Sequence, residues 1–95
     1  MSKQYFVYIM TNSASTALYT GVTNNLPRRA WEHREGQGKG FTGRYRMTKL
    51  VYYEVFDDPL SAIQREKQIK AGSRRKKMDL IDGVNPRWED LYKDL

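Results

Sequence analysis

Glu66 is a carboxylate whose position in the sequence suggests chemistry. Residues 59–71 are predicted to form a helix, bounded by a proline and a glycine. The inward apolar stripe of this helix consists of Ala62, Ile63 and Ile69. Glu66 lies four residues after Ala62 and three before Ile69, so it points inward with them. Burying a carboxylate is costly unless it is paired with a cation or ligates a metal ion.

Two cations of the sequence could neutralise Glu66 without a metal. Arg29 comes from an earlier predicted helix, and Lys70 follows Glu66 by one helical turn. The other charges of the same helix, Arg65 and Lys67, fall outside the inward stripe. This helix alone therefore leaves open whether Glu66 is a metal ligand or one half of an ion pair at the sheet edge.

Arg29 and His33 raise the same question on the earlier helix. Leu26 and Ala30 set its apolar face, and both polar side chains fall within about one turn of that face. A partly buried arginine commonly recognises a carboxylate or a phosphate through its bidentate fork. His33 is the only histidine, and it could be a general acid or base or a hydrogen-bonded structural residue.

Tyr8 and Tyr19 lie in two segments, residues 5–10 and 17–22, that are predicted to be adjacent strands. Two tyrosines on neighbouring strands form a core or cross-strand pair by default. Gly21 interrupts the second strand and predicts a bulge or a close approach by another backbone or a ligand. The tyrosines taken singly do not indicate a function.

The composition of the chain restricts the classes of protein to consider. Its 95 residues are enough for one small domain. The absence of cysteine excludes disulfides, thiolate metal sites and cysteine nucleophiles, and a single histidine excludes structural zinc. No apolar run approaches the roughly 18 residues of a membrane span, and no signal peptide opens the chain. We therefore expect a cytoplasmic protein without membrane association.

The formal net charge is +6, and the excess of basic residues lies before residue 79, whereas residues 79–95 are acidic on balance. Such a distribution suits a polyphosphate partner, because lysines and arginines that meet phosphates release condensed counterions. A solvated basic surface without a ligand is the alternative. The predicted nucleic-acid-binding residues are Arg28, Lys39, Arg44, Arg46, Lys70, Arg74 and Arg75.

The pattern of elements predicts an α+β domain with a three-stranded antiparallel sheet flanked by helices, in the order β-β-α-β-α-α. The third strand is predicted at residues 50–56, the first helix at 26–35 and the third at 73–82. We place the domain at residues 1–82, with residues 83–95 packed on it as a short acidic C-terminal segment. That segment is predicted to be helical over residues 87–94.

Taken together, the spaced set Tyr8, Tyr19-Thr20-Gly21, Arg29, His33 and Glu66 resembles the GIY-YIG nuclease domain. The resemblance runs from Tyr5 to about Gly72, and it is strongest to small stand-alone bacterial members of that superfamily. Val7-Tyr8-Ile9 stands at the first triplet of the family and Tyr19-Thr20-Gly21 at the second. Val7 replaces a glycine and Thr20 an isoleucine, and neither family residue carries a reactive group.

The resemblance implies cleavage of phosphodiester bonds with one divalent ion, Mg²⁺ or Mn²⁺, held by Glu66. It implies that Arg29 stabilises the charge on the phosphate, that Tyr8 or Tyr19 activates or orients the attacking water, and that His33 is a second candidate for proton transfer. Tyr8, Tyr19, Arg29 and Glu66 should then converge on one concave patch of the sheet, with Glu66 reachable by solvent. The family also uses an asparagine after the glutamate, and Asn85 does not match its spacing firmly.

Three functions follow as hypotheses. The first is a metal-dependent endonuclease acting on DNA, with repair or recombination as the processes it would serve. The second is a module of the same fold that binds nucleic acid without cleaving it. The third is an interaction domain that docks on a larger repair or recombination protein.

Overall fold

The computed structural model describes residues 3–35 and 45–95. Within these residues, three strands form one antiparallel sheet: β1 (Tyr5–Thr11), β2 (Leu18–Thr23) and β3 (Lys49–Phe56). Their order in the sheet is β2-β1-β3, so the first strand is central and the other two are edges. The predicted fold class and element order are confirmed.

The central strand is buried on both faces. Val7 and Ile9 pack in one core cluster, and Tyr8 and Met10, which alternate with them, pack in a second cluster on the opposite face. All four side chains are at most 1% exposed. This two-sided burial explains why the strand contains aromatic and branched residues with no polar face.

The turn between β1 and β2 is organised by Asn12. Its Oδ1 accepts hydrogen bonds from the backbone amides of Thr16 and Ala17 at 2.8 and 3.1 Å. The Thr11 hydroxyl donates to the Ala17 carbonyl at 2.7 Å, and Ser15 adopts a left-handed conformation with φ 57°. Small polar residues thus satisfy the backbone of this turn, as its sequence predicts.

Three α-helices follow the sequence closely: α1 (Leu26–Arg34), α2 (Pro59–Ala71) and α3 (Arg74–Val84). Each begins after a polar residue, namely Asn25, Asp58 or Ser73, whose side chain accepts from the backbone amide three residues later. No helix in residues 3–35 and 45–95 is long and apolar enough to span a lipid bilayer.

The helices cover the two faces of the sheet separately. Ala62 and Ile69 of α2 pack with Val7 and Ile9, whereas Leu26 of α1 belongs to the cluster around Tyr8 on the other face. The sheet therefore separates α1 from α2.

The buried stripe of α2 differs in one position from the prediction. It consists of Ala62, Glu66 and Ile69, at i, i+4 and i+7, whereas Ile63 is 37% exposed. Arg65, beside this stripe, donates from Nε to both carboxylate oxygens of Glu54 in β3 at 3.1 Å. This contact ties α2 to the sheet.

The predicted C-terminal helix over residues 87–94 is wrong. Only Leu91–Asp94 is helical, as a short 3₁₀ turn, because Trp88 has a left-handed φ of 52° that an α-helix cannot contain. The segment instead returns to the sheet, where the backbone amide of Leu50 donates to Asp90 Oδ1 at 3.1 Å.

Asn85 holds this segment in place. Val51 is the extra residue of a β-bulge, since Ile9 pairs with Tyr52 and Met10 with Leu50. The Asn85 side-chain amide donates to the Val51 carbonyl at 3.0 Å and to the Glu89 carbonyl at 2.9 Å, and its oxygen accepts from the Glu89 amide at 3.0 Å. In this structure Asn85 is a buried backbone clamp.

We expect Asn85→Ala to lower the free energy of unfolding by about 2–4 kcal/mol, because three hydrogen bonds are lost and buried backbone groups stay unpaired. The exposed Asn24, whose side chain makes no hydrogen bond within the described residues, provides the control Asn24→Ala. Urea unfolding of both variants measures the difference. Equal unfolding midpoints would contradict the clamp.

Candidate active site

The buried hydroxyl of Tyr8 lies between two side chains of α1. Tyr8 is 1% exposed. Its oxygen is 3.4 Å from Arg29 Nε and 3.2 Å from His33 Nε2. The arginine nitrogen can only donate, so the tyrosine oxygen accepts from it, and the tyrosine proton is available for the imidazole. Arg29 and His33 are four residues apart, which brings both over the same ring.

Gly21 makes room for this arrangement. It is the cross-strand partner of Tyr8. A Cβ atom at Gly21 would lie 2.6 Å from the Tyr8 hydroxyl oxygen and 2.7 Å from Cζ, closer than real contacts allow. The predicted close approach at Gly21 is therefore present, and the approaching group is a side chain rather than a backbone or a ligand.

Tyr19 completes a cluster of three rings. Its centroid is 6.2 Å from that of Tyr8 and 5.4 Å from that of His33, and the Tyr8 and His33 centroids are 5.8 Å apart. The two tyrosines thus lie on the same face of the sheet. Four of the residues singled out in the sequence, from three different elements, are brought into direct contact.

Burial sets the protonation states of the cluster. It raises the pKa of Tyr8 to about 12, although the hydrogen bond from Arg29 acts in the opposite direction. Burial also lowers the pKa of His33 to about 4, and the positive charge of Arg29 lowers it further. At neutral pH the tyrosine is protonated and the imidazole is neutral. The hydrogen bond between Tyr8 and His33 Nε2 runs in the direction set by the tautomer of His33, while His33 Nδ1 has no hydrogen-bond partner in the described residues.

Glu32 is a member of this site that the sequence analysis missed. Its Oε1 accepts from Arg29 Nη1 at 3.1 Å, and its Oε2 is 3.4 Å from Arg28 Nε. The hydrogen bond from Arg29 holds the pKa of Glu32 below its usual value. Glu32 follows Arg28 by four residues and Arg29 by three. This spacing was the signal available in the sequence, because it brings opposite charges together on a helix.

Glu66 is buried on the inner face of α2, as its spacing predicts. Its Oε2 lies 2.6 Å from Lys70 Nζ, so the ion pair that the sequence left open forms with Lys70. The pair is not sealed, because the side chain of Lys70 is 52% exposed and that of Glu66 is 12% exposed. Water can reach this carboxylate.

The expected convergence of Tyr8, Tyr19, Arg29 and Glu66 on one patch is incomplete. The neighbours of Glu66 on α2 pack with Val7 and Ile9, on the face of the sheet opposite to Tyr8. No contact within the described residues joins Glu66 to the ring cluster. However, α2 packs on β2 as well as on β1, and β2 is an edge of the sheet. The helix that carries Glu66 therefore lies beside β2, the edge strand that carries Tyr19.

Five of the predicted nucleic-acid-binding residues lie in the described part of the chain, and all five are exposed. Lys39 and Arg44 lie outside the described residues. The five exposed residues are Arg28, Arg46, Lys70, Arg74 and Arg75. Arg75 lies 3.3 Å from Asp79, and Arg74 donates to the Ser15 carbonyl. Exposed ion pairs contribute little to stability, so these cations can exchange their partners for phosphates at low cost.

We expect Gly21→Ala to displace the Tyr8 hydroxyl from His33 and to destabilise the protein by about 1–3 kcal/mol, because the added methyl overlaps the tyrosine ring. Gly83→Ala is the matched control, since a Cβ there meets nothing within 4 Å and alanine favours the helix by up to about 1 kcal/mol. Urea unfolding and the imidazole NMR signal of His33 report both effects. An unchanged His33 signal in Gly21→Ala would contradict the close contact.

The buried neutral state of His33 predicts how stability depends on pH. Between its ordinary pKa of 6.5 and its folded pKa of about 4, the unfolded chain binds a proton that the folded chain does not. The free energy of unfolding should therefore fall by about 3 kcal/mol as the pH is lowered through this interval. His33→Gln should lack this contribution. Urea unfolding at pH 7, 5.5 and 4 tests it, and parallel curves for both proteins would exclude it.

Comparison with known proteins supports the resemblance to the GIY-YIG nuclease domain. The family model of the GIY-YIG catalytic domain matches residues 4–79. A UPF0213 protein of Natronomonas pharaonis is 41% identical over 81 residues, which cover 85% of this chain and 94% of that protein. A UPF0213 protein of Syntrophus aciditrophicus is 45% identical over 82 residues, 85% of this chain and 92% of that protein.

The fold is also similar to a solution NMR structure of a UPF0213 protein from Bacillus halodurans. The TM-score is 0.57 at 31% sequence identity, and the similarity covers 95% of each chain. The family match spans β1 to α3 and includes Tyr8, Tyr19, Arg29, His33 and Glu66. The resemblance inferred from those residues is confirmed, and the chain belongs to the GIY-YIG family.

Proposed function

We propose that this protein is a metal-dependent endonuclease that hydrolyses phosphodiester bonds in DNA. The observation that carries the proposal is the buried Tyr8 hydroxyl held between Arg29 and His33, with the Tyr19 ring beside it. A site with a cation, a phenol and a neutral imidazole in contact can bind a phosphate and move a proton. Membership of the GIY-YIG family makes a nucleic acid the fitting substrate.

Arg29 is suited to hold the reacting phosphate. Its Nε donates to Tyr8 and its Nη1 to Glu32, while the side chain stays 40% exposed. The guanidinium therefore has further N–H groups for a phosphate oxygen. Donors that are fixed before the substrate arrives stabilise the charge that develops on the phosphate in the transition state.

Tyr8 and His33 act as a pair in proton transfer. A tyrosine with a pKa of about 12 is a poor base by itself at neutral pH. In the tautomer that leaves Nε2 unprotonated, however, the neutral His33 can accept the Tyr8 proton at Nε2 while the Tyr8 oxygen takes a proton from the attacking water. Tyr19, which is half-buried against both rings, is placed to orient that water.

Glu66 fits a weakly held divalent ion. No group of three or more histidine, cysteine, aspartate or glutamate side chains that could hold a metal occurs within residues 3–35 and 45–95. Mg²⁺ commonly binds through one or two carboxylates, with water and substrate phosphates completing its shell. The water-accessible carboxylate of Glu66 meets this minimum, and its Oε1 has no hydrogen-bond partner in the described residues. A bound Mg²⁺ or Mn²⁺ would supply charge neutralisation at the phosphate.

The edge of β2 provides the path for the substrate under this proposal. Arg29 and Glu66 are carried by helices on opposite faces of the sheet, so the proposal requires the nucleic-acid backbone to pass the β2 edge to use both. The exposed arginines and lysines would contact flanking phosphates.

One observation favours the second candidate, a module that binds nucleic acid without cleaving it. The Lys70 ammonium occupies one carboxylate oxygen of Glu66 at 2.6 Å, and a metal must compete with this ion pair. Both candidates predict affinity that falls steeply with salt, by a slope of about −0.9 per neutralised phosphate on duplex DNA. Binding alone therefore does not separate them. Docking on a larger repair or recombination protein stays a prediction from the sequence.

The separating experiment is incubation of the protein with labelled linear, nicked and branched DNA in Mg²⁺ or Mn²⁺, with a matched RNA. We expect metal-dependent DNA cleavage by the wild type and at least a 100-fold loss in Glu66→Gln, which removes the charge but keeps the size. DNA affinity should stay within about threefold, because the basic surface is retained. Asp79→Asn, which breaks the similarly spaced pair with Arg75, should cleave like the wild type.

Two results would change the proposal. Wild-type cleavage rates in Glu66→Gln would contradict the role of Glu66 in holding the metal. Salt-dependent DNA binding with no cleavage of any substrate in either metal would establish the binding module instead.

A further inference from the structure

Glu32 contacts two arginines at once. One carboxylate oxygen accepts from Nη1 of Arg29 at 3.1 Å, and the other lies 3.4 Å from Nε of Arg28. The Glu32 side chain is 25% exposed, whereas Arg28 is 73% exposed. The contact with Arg29 is the closer of the two and involves the less exposed arginine.

We propose that Glu32 is the positioning residue for Arg29. Its carboxylate fixes Nη1, so that Nε of the same planar group faces the Tyr8 hydroxyl. The role in catalysis depends on the proposed nuclease activity, but the positioning itself does not.

The geometry shows why such a residue is needed. Arg29 approaches Tyr8 through Nε at 3.4 Å, a long hydrogen bond that would not by itself hold a flexible arginine at the tyrosine. Two contacts on different nitrogens of a planar guanidinium fix its plane as well as its position. Arg29 then keeps its remaining N–H groups in a constant direction for a phosphate.

Glu32 affects His33 in two opposing ways, which provides a test. The negative charge of Glu32 raises the pKa of His33, whereas the positive charge of Arg29 lowers it by a larger amount. Removing only the charge of Glu32 should lower the His33 pKa. Releasing Arg29 into solvent should raise it.

Glu32→Gln and Glu32→Leu separate these two effects. Both substitutions remove the charge and keep the side-chain size, but only glutamine can accept a hydrogen bond from Arg29. His33 is the only histidine, so its imidazole signal in an NMR pH titration is unambiguous. We expect the His33 pKa to fall below the wild-type value in Glu32→Gln. It should be clearly higher in Glu32→Leu than in Glu32→Gln. Identical values in the two variants would overturn the proposal.

A second NMR measurement at neutral pH does not depend on stability in acid. The Arg29 Nε–H signal should be protected from exchange with water in the wild type and in Glu32→Gln, and it should lose that protection in Glu32→Leu. Glu35→Gln and Glu35→Leu are the controls, because Glu35 is an exposed carboxylate at the end of the same helix. They should leave both His33 and Arg29 unchanged. Retained protection in Glu32→Leu would overturn the proposal.

Cleavage assays then test the consequence for the reaction. We expect kcat to be lower in Glu32→Gln than in the wild type. In Glu32→Leu it should be about 10- to 100-fold lower than in the wild type, with little change in KM in either variant. Equal kcat values in all three proteins would overturn the catalytic part of the proposal. If the wild type cleaves nothing, the nuclease proposal fails, while the NMR order still decides whether Glu32 positions Arg29.

Discussion

The hydrogen-bonded burial of the Tyr8 hydroxyl is the constraint on which the candidate site depends. A phenol removed from water must find partners, and Arg29 and His33 supply them from a single helix. The ring also needs space on the neighbouring strand, which Gly21 provides by lacking a side chain. One hydroxyl thus links β1, β2 and α1, and a change in the hairpin register or in the position of α1 would leave it unsatisfied.

The sheet divides the chemistry of the site into two layers. The groups proposed for proton transfer and phosphate binding lie with α1, and the carboxylate proposed to hold a metal lies with α2. A substrate that uses both layers has to be long enough to cross an edge of the sheet, and β2 is an edge strand that packs against α2 and carries Tyr19, whose ring lies beside His33 of α1. A polymeric phosphodiester meets this requirement in a way that a small phosphate ester does not.

The parts of the fold that the sequence predicts are those set by local interactions. Helix caps such as Asn25 and Asp58 act within three residues, and the inward position of Glu66 follows from helical periodicity. The prediction of a C-terminal helix is wrong because Trp88 adopts a left-handed conformation within it, and the bond that anchors the start of this segment joins Asn85 to Val51, 34 residues away, which local helical preference does not reveal. The sequence left Arg29 and Lys70 as two possible partners of Glu66. The structure pairs Glu66 with Lys70, because α2 packs away from Arg29.

The protonation states of Tyr8 and His33 also restrict what a pH profile can mean. With pKa values of about 12 and about 4, the pair keeps one proton on the tyrosine across the whole interval between them in the free protein. A change of activity within this interval therefore cannot come from titration of the free pair. It has to come from groups outside the pair, or from a substrate that brings the two pKa values together by placing new charge beside them. Arg29 touches Tyr8 directly and acts on His33 through its charge, so a phosphate that neutralises Arg29 would raise the pKa of His33 and make it a stronger base in the complex than in the free protein.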